Sequence, residues 1–188
     1  MTDVGQSAPE SGNAPPARGE PLLVTAELPP DILEWADRLR RAHYPPERNR
    51  LKAHVTLFHA LPPSARDEVR QLLGGLAGET DAPEAQVTGL MDLGRGTAFS
   101  VESPGMLALH ERLADMLQGL TQQQDARELR LHITVQNKVA RSEAKSLQAE
   151  LAAQFGPRRF RFRGFGLYGW DGGLWNFRRL YPFRGPGG

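Results

Sequence analysis

Two four-residue segments, His54-Val55-Thr56-Leu57 and His132-Ile133-Thr134-Val135, repeat one pattern of histidine, aliphatic residue, threonine and aliphatic residue. One segment lies in each half of the chain. A β-strand points alternate side chains to opposite faces, so each histidine shares a face with its threonine. The pattern therefore predicts two half-buried strands. If the two halves of the chain pack together, two imidazoles and two hydroxyls converge on one place.

The residues around both motifs continue the alternation. Ahead of the second motif Leu129 and Leu131 are apolar and Arg130 is polar, which predicts a strand over 129–138. The first motif lies in a predicted strand over 53–61, in which Phe58 falls on the face of His54.

His59 lies an odd number of residues after His54, which puts the two imidazoles on opposite faces unless a bulge intervenes. We therefore expect His59 to be a hydrogen-bonded packing residue and not a partner of His54 in a metal site. His43 and His110 fall in predicted helices, and we expect structural roles for both.

Beyond the motifs, apolar spacing and turn residues predict an alternation of strands and helices. The predicted helices span 31–43, 64–76, 106–120 and 142–155. The further predicted strands span 22–28, 86–93, 97–102, 158–170 and 174–181. This order indicates an α+β fold of mainly antiparallel sheets backed by helices.

A chain of 188 residues is long enough to form one domain with a substantial core. Residues 1–20 are rich in glycine, proline, alanine, serine and asparagine, so we expect them to form a disordered tail. We expect a loose end over 184–188, which leaves 21–183 as a single domain.

The composition narrows the classes of function. A formal net charge of +1 gives no overall attraction to nucleic acid, so any RNA contact has to come from local patches. The chain has no cysteine, which excludes disulfides, thiol nucleophiles and cysteine-ligated metals. No apolar run is long enough for a membrane span, and no secretory signal pattern opens the chain. We expect a cytoplasmic monomer with no membrane association and no protein partner.

The paired motifs suit general acid–base chemistry on an anion. An unperturbed histidine titrates near pH 6.5, so one imidazole can accept a proton while the other donates one. The hydroxyls of Thr56 and Thr134 can donate hydrogen bonds to the oxygens of an anion such as phosphate. No acidic cluster has metal-ligand spacing, so we expect neither a metal nor another cofactor.

The paired motif resembles that of the 2H phosphoesterase superfamily, which includes the bacterial 2′-5′ RNA ligase-like cyclic phosphodiesterases. The segments ahead of the first motif have a similar order: Pro21-Leu22-Leu23-Val24-Thr25-Ala26-Glu27-Leu28-Pro29-Pro30, a helix, and Tyr44-Pro45-Pro46-Glu47. The resemblance covers about residues 21–183. It implies two pseudo-symmetric lobes with outer helices and a central groove that contains one motif strand from each lobe.

The resemblance also implies roles for the motif residues. His54 would be the proton donor and His132 the acceptor that activates water, an order that the residues alone leave open. One departure indicates a divergent branch, because Phe58-His59-Ala60 stands where better-known members more often have Phe-Leu-Gly.

Four further residues are candidates for substrate binding: Phe58, Arg130, Tyr168 and Trp170. Arginine and phenylalanine alternate over 158–165, which is typical of a half-buried strand and equally of a platform that stacks bases and pairs phosphates. Tyr168 and Trp170 are the residues that we expect to form a base-stacking wall.

These observations predict a metal-independent cyclic phosphodiesterase that hydrolyses 2′,3′-cyclic phosphate at RNA ends or in nucleotides. An ATP-independent 2′-5′ RNA ligase would use the same residues in the reverse reaction. A non-catalytic sensor of RNA or nucleotides is the third possibility, but a pure binder has little need for two titrating imidazoles.

Overall fold

A computed structural model describes residues 19–121 and 129–185 of the 188-residue chain. The expected tail therefore lies outside the described residues except for its last two positions, and so do the last three residues of the expected loose end. In the described part there are eight strands and four α-helices. The strands are β1 (Leu22–Glu27), β2 (Val55–Leu61), β3 (Glu84–Asp92), β4 (Gly96–Glu102), β5 (His132–Asn137), β6 (Arg158–Arg161), β7 (Gly164–Trp170) and β8 (Trp175–Pro182). The helices are α1 (Pro30–His43), α2 (Arg66–Glu79), α3 (Pro104–Met116) and α4 (Arg141–Ala153).

The strands form two four-stranded sheets, one in the order β2-β1-β7-β8 and the other in the order β5-β4-β3-β6. All neighbouring strands are antiparallel. Each motif strand forms an edge of its own sheet, and the two edges β2 and β5 lie beside each other. The expected α+β fold, with one motif strand in each lobe, is confirmed.

Local chemistry accounts for the connection between the two central strands of the second sheet. The carboxylate of Asp92 accepts a hydrogen bond from the backbone N–H of Gly94, and Gly94 has a φ of 78°. Glycine adopts this left-handed conformation without a steric penalty. The turn therefore brings β3 and β4 together as the sequence predicts.

The predicted strand over 158–170 is wrong as a single element. Its first part, β6, pairs with β3, whereas its second part, β7, lies between β1 and β8 in the other sheet. The backbone N–H of Arg163 donates to the carbonyl of Glu27 where the chain crosses from one sheet to the other. The apolar residues change phase at this crossing, from Phe160 and Phe162 to Phe165 and Leu167, and the alternation gives way to continuous burial in β7.

Buried hydrophobic side chains from both sheets belong to one continuous core. This continuity supports the prediction that 21–183 forms one domain. In the described ranges, no helix combines the length and the apolar character needed to cross a bilayer.

Candidate active site

The catalytic candidates lie at the ends of the two motif strands. His54 immediately precedes β2, and His132 is the first residue of β5. Both predicted motif strands are therefore shorter at this end than expected. The two histidines and both threonines are partly exposed, whereas the aliphatic residues between and after them are almost completely buried. The alternation predicted within each motif is confirmed.

The two imidazoles are held in the same way. Nδ1 of His54 lies 2.7 Å from the carbonyl oxygen of Lys52, and Nδ1 of His132 lies 2.7 Å from that of Arg130. Since a carbonyl oxygen only accepts, Nδ1 must be the donor in each ring. This fixes the tautomer and leaves Nε2 as the atom that gains or loses a proton.

The environment of His54 disfavours its charged form. Partial burial of the ring and, after it, the positive charges of Arg40, His132 and His59 lower the pKa of His54 to about 4. The hydrogen bond to the carbonyl of Lys52 acts in the opposite direction but is weaker than the effect of burial. The free protein therefore holds His54 neutral at pH 7.

Arg40 is a site residue that the sequence analysis missed. Its side chain is only 5% exposed. It donates from Nη1 to the carbonyl of Thr134 at 2.7 Å and from Nε to Oδ1 of Asn49 at 3.1 Å, and its guanidinium lies 4.4 Å from the ring centre of Tyr44. Arg40 thus joins α1 to the backbone of the second motif.

A sequence signal for Arg40 did exist. Residues Ile32, Ala36 and Arg40 recur at four-residue spacing and form the buried stripe of α1. An arginine on such a stripe has to be paired or hydrogen-bonded, because burying an unpaired charge is costly.

A cavity of about 530 Å³ adjoins His54 and Thr134. Its other lining residues are Arg40, Tyr44, Glu47, Arg48, Arg50, Leu51, Asn137, Trp170, Gly173 and Trp175. Two larger cavities of about 660 and 830 Å³ are lined by none of the four motif residues. His54 and Thr134 therefore identify the smaller cavity as the candidate active site, and His132 and Thr56 are not among its lining residues.

A β-bulge in β2 overturns two expectations. Thr25 of β1 is paired with Thr56, but the preceding residue Val24 is paired with Phe58, so β2 contains one extra residue between them. The bulge buries Phe58 completely, and its ring stacks on His110 at 4.6 Å between centroids. The prediction that Phe58 borders the site is wrong. His110 is buried in this contact, as a structural histidine should be.

The same bulge turns His59 outward. His59 is exposed, and its charge acts on His54, so the prediction that it packs on the apolar face is wrong. The inserted residue reverses the alternation at Phe58 and His59, and a second register shift before Leu61 restores it.

The two residues of the expected stacking wall lie in different places. Trp170 lines the cavity with His54 and Thr134, as expected. Tyr168 is 9% exposed, and its hydroxyl donates to Glu27 at 3.2 Å. Burial, followed by the negative charge of Glu27, raises the pKa of this hydroxyl. Tyr168 is not among the residues that line the cavity, so its assignment to the stacking wall has to be corrected.

Arg130 is exposed just ahead of β5, and its carbonyl is the one that orients His132. Its expected contact with substrate stays a prediction. Within the described residues, no three or more histidine, aspartate or glutamate side chains cluster as potential ligands of a metal ion.

The family model of the 2′-5′ RNA ligase superfamily matches residues 28–174, a range that includes both motifs. A search of curated protein sequences finds no match to this chain.

Several solved structures share the fold. The protein TT0787 of Thermus thermophilus matches with a TM-score of 0.59 at 18% identity, over 88% of this chain and 98% of that one. A protein described as a phosphoesterase matches with a TM-score of 0.56 at 20% identity, over 88% of this chain and 99% of that one. LigT from E. coli, complexed with NADP+, matches with a TM-score of 0.57 at 17% identity, over 88% and 99% of the two chains. At these identities the likeness concerns the fold.

Proposed function

Since the chain belongs to the 2′-5′ RNA ligase superfamily, we propose that it hydrolyses 2′,3′-cyclic phosphates at RNA ends or in nucleotides, using His54 and His132 as a general acid–base pair. The observation that supports this most strongly is the matched orientation of the two rings. Both use Nδ1 to bind a backbone carbonyl, which leaves both Nε2 atoms to exchange protons at the edges where β2 and β5 lie side by side.

In the proposed reaction, Nε2 of His132 takes a proton from water as the water oxygen bonds to phosphorus. The bond from phosphorus to one ribose oxygen breaks, and Nε2 of His54 protonates that oxygen. Thr56 and Thr134 donate hydrogen bonds to the non-bridging oxygens, whose charge grows in the transition state. Afterwards His54 is neutral and His132 is protonated, so exchange with water restores the starting state.

The donor role of His54 requires the substrate. With a pKa of about 4 the free ring is mostly neutral at pH 7. A phosphate anion beside the ring favours the charged form and raises this pKa. Substrate binding therefore supplies both the reacting group and the charge that keeps the donor protonated.

The direct test is turnover of 2′,3′-cyclic nucleotides and of RNA with a cyclic phosphate end, in the presence of excess EDTA. We expect cleavage by the unmodified protein and a loss of about 10²- to 10⁴-fold in His54→Ala or His132→Ala. His43→Gln, at the end of α1, is the matched control and should retain activity. Failure to cleave any such substrate would contradict the proposal, and tight binding without turnover would favour a sensor.

Ligation is the alternative that the family description itself favours. It replaces the attacking water by the 5′-hydroxyl of a second RNA end and needs no change in the roles of the two histidines. Product analysis with paired RNA halves distinguishes a joined strand from a terminal phosphate. We further propose that the protein acts as a cytoplasmic monomer, as the composition led us to expect.

A further inference from the structure

The cavity extends from His54 to aromatic and cationic side chains that a cyclic mononucleotide bound at His54 would not contact. We propose that this part of the cavity is a subsite for single-stranded RNA. Trp170 and Trp175 stack the base of the nucleotide that precedes the terminal one, and Arg48 and Arg50 bind the phosphodiester between the two nucleotides. The inference rests on the proposed function, and it adds a binding position for the nucleotide that precedes the cyclic phosphate end.

The aromatic half of the subsite is a cross-strand pair. Trp170 ends β7 and Trp175 begins β8, directly opposite each other in the ladder. Their ring centroids are 5.4 Å apart with the planes tilted by 55°. Both residues are partly exposed and both line the cavity that contains His54. Tryptophan faces stack on any base, so such a pair binds RNA without reading its sequence.

The turn that joins the two tryptophans is fixed before any ligand arrives. The carboxylate of Asp171 accepts hydrogen bonds from the backbone N–H groups of Gly173 and Leu174 and from the side-chain amide of Asn176. These bonds lower the pKa of Asp171 and keep it charged. A rigid platform loses little conformational entropy on binding, which favours a preorganised stacking site.

The cationic half of the subsite comes from the segment between α1 and β2. Arg50 donates from Nε to the carbonyl of Glu47 at 2.8 Å, which orients its guanidinium. Arg48 has only a long ion pair of 3.9 Å with the carboxylate of Glu47, and both side chains are more than half exposed. Such a surface pair contributes little, so a phosphate can replace Glu47 as the partner of Arg48.

The charge balance of the cavity favours an anion. Three arginines line it, counting the buried Arg40, against the single carboxylate of Glu47. A cyclic mononucleotide carries one phosphate, which the two histidines and two threonines engage in the proposed reaction. Arg48 and Arg50 therefore match a second phosphate, which an RNA end provides and a 2′,3′-cyclic mononucleotide does not.

The test compares three substrates: 2′,3′-cyclic AMP, the same nucleotide with a 5′-phosphate, and the dinucleotide ApA with a terminal 2′,3′-cyclic phosphate. We expect kcat/KM to rise in that order, by about 3- to 10-fold for the added phosphate. In the double variant Arg48→Gln/Arg50→Gln, the ratio of kcat/KM for the 5′-phosphorylated nucleotide to kcat/KM for 2′,3′-cyclic AMP should fall towards one. The control Arg159→Gln, an exposed arginine of β6, should leave that ratio unchanged.

The aromatic contact has its own variants. Trp175→Ala should lower kcat/KM for the dinucleotide by about 5- to 150-fold relative to the unmodified chain, the range expected for one stacked base. Trp175→Phe keeps an aromatic face and should restore most of the loss.

Equal kcat/KM for the three substrates, or a phosphate preference that survives in Arg48→Gln/Arg50→Gln, would overturn the subsite while leaving the proposed function intact. If no substrate is cleaved, the proposed function fails, and affinity measurements then test the subsite. In that case tryptophan fluorescence measures the affinity for ApA with a 3′-phosphate and for 3′-AMP. Tighter binding of the dinucleotide supports the subsite, and equal affinities refute it.

Discussion

The chemistry of the site depends on how single side chains are oriented by their neighbours. Each motif imidazole binds the carbonyl of the residue two positions earlier in the chain. The motif therefore orients its own histidine as the strand begins, without a separate carboxylate partner.

The pKa of His54 leads to a prediction about pH. The group titrates at about 4 because of burial and the surrounding positive charges. The pH profile of kcat/KM reports the pKa values of the essential groups in the free protein. The lower of these pKa values sets the acidic limb, whichever of the two rings donates the proton. We expect the acidic limb of kcat/KM for 2′,3′-cyclic AMP to have its midpoint near pH 4. A midpoint near 6.5, the ordinary value for histidine, would contradict this account of the site.

Arg40 should influence both stability and proton transfer. Arg40→Met removes the donors to Thr134 and Asn49 and leaves their oxygens without these bonds, so we expect a loss of about 1–3 kcal/mol in the free energy of unfolding. It also removes a positive charge that lowers the pKa of His54, so the acidic limb should move to higher pH. Denaturant unfolding and the pH profile measure the two effects. Arg40→Lys keeps the charge, so a limb that moves equally in both variants would contradict the electrostatic role.

At the scale of elements, β2 is the strand whose irregularity matters most. Its bulge buries Phe58 and turns out His59, and Ala60 follows with a φ of 45°. Residues other than glycine rarely adopt this left-handed conformation, because the Cβ atom comes too close to the following carbonyl oxygen. The resembling family more often has glycine here, which fits the conformation.

Ala60→Gly should therefore stabilise the protein. Relief of the left-handed strain exceeds the entropy that glycine gains in the unfolded chain, and we expect a net increase of about 1 kcal/mol in the free energy of unfolding. Ala149→Gly, at an exposed position within α4, is the matched control and should destabilise by about 1 kcal/mol. Denaturant titration measures both, and a loss of stability in Ala60→Gly would show that the strain is absent.

Sequence patterns predicted the elements well where one period runs without interruption. The histidines and threonines of both motifs alternate with buried aliphatic residues because no bulge falls within His54–Thr56 or His132–Thr134. Phe58 and His59 were misplaced because an inserted residue reverses the alternation and has no signature of its own. Tyr168 was misplaced because its partner Glu27 is far away in the chain.

At the scale of the whole molecule, the fold brings together residues that are distant in the chain. Each sheet places its motif strand at an edge, and the two edges lie side by side. The Trp170–Trp175 turn reaches the same cavity from the far end of the chain. No local pattern reveals this convergence, which is why the sequence indicated both motifs but missed Arg40 and Trp175 as members of the cavity.

The low pKa of His54 also connects the site to global stability. In the unfolded chain this ring binds a proton near pH 6.5, whereas in the folded protein it does so only near 4. Its contribution to stability is therefore complete above about pH 6.5 and is lost as the pH falls towards 4, with a slope of at most about 1.4 kcal/mol per pH unit.

Replacing the ring should remove this slope. We expect the difference in free energy of unfolding between the unmodified protein and His54→Gln to shrink as the pH is lowered from 7 to 4.5. The carboxylates are common to both proteins, so their titration cancels in the difference. A constant difference over this range would mean that burial does not depress the pKa of His54.

The central claim is that residues 54 and 132 act as a unit on one phosphorus atom. The most direct measurement is kcat for 2′,3′-cyclic AMP in His54→Ala, His132→Ala and the double variant. Two groups that serve the same transition state give non-additive losses, so the double variant should be about as slow as the slower single variant. Losses that multiply, or a single variant with unmodified kcat, would contradict a shared reaction centre.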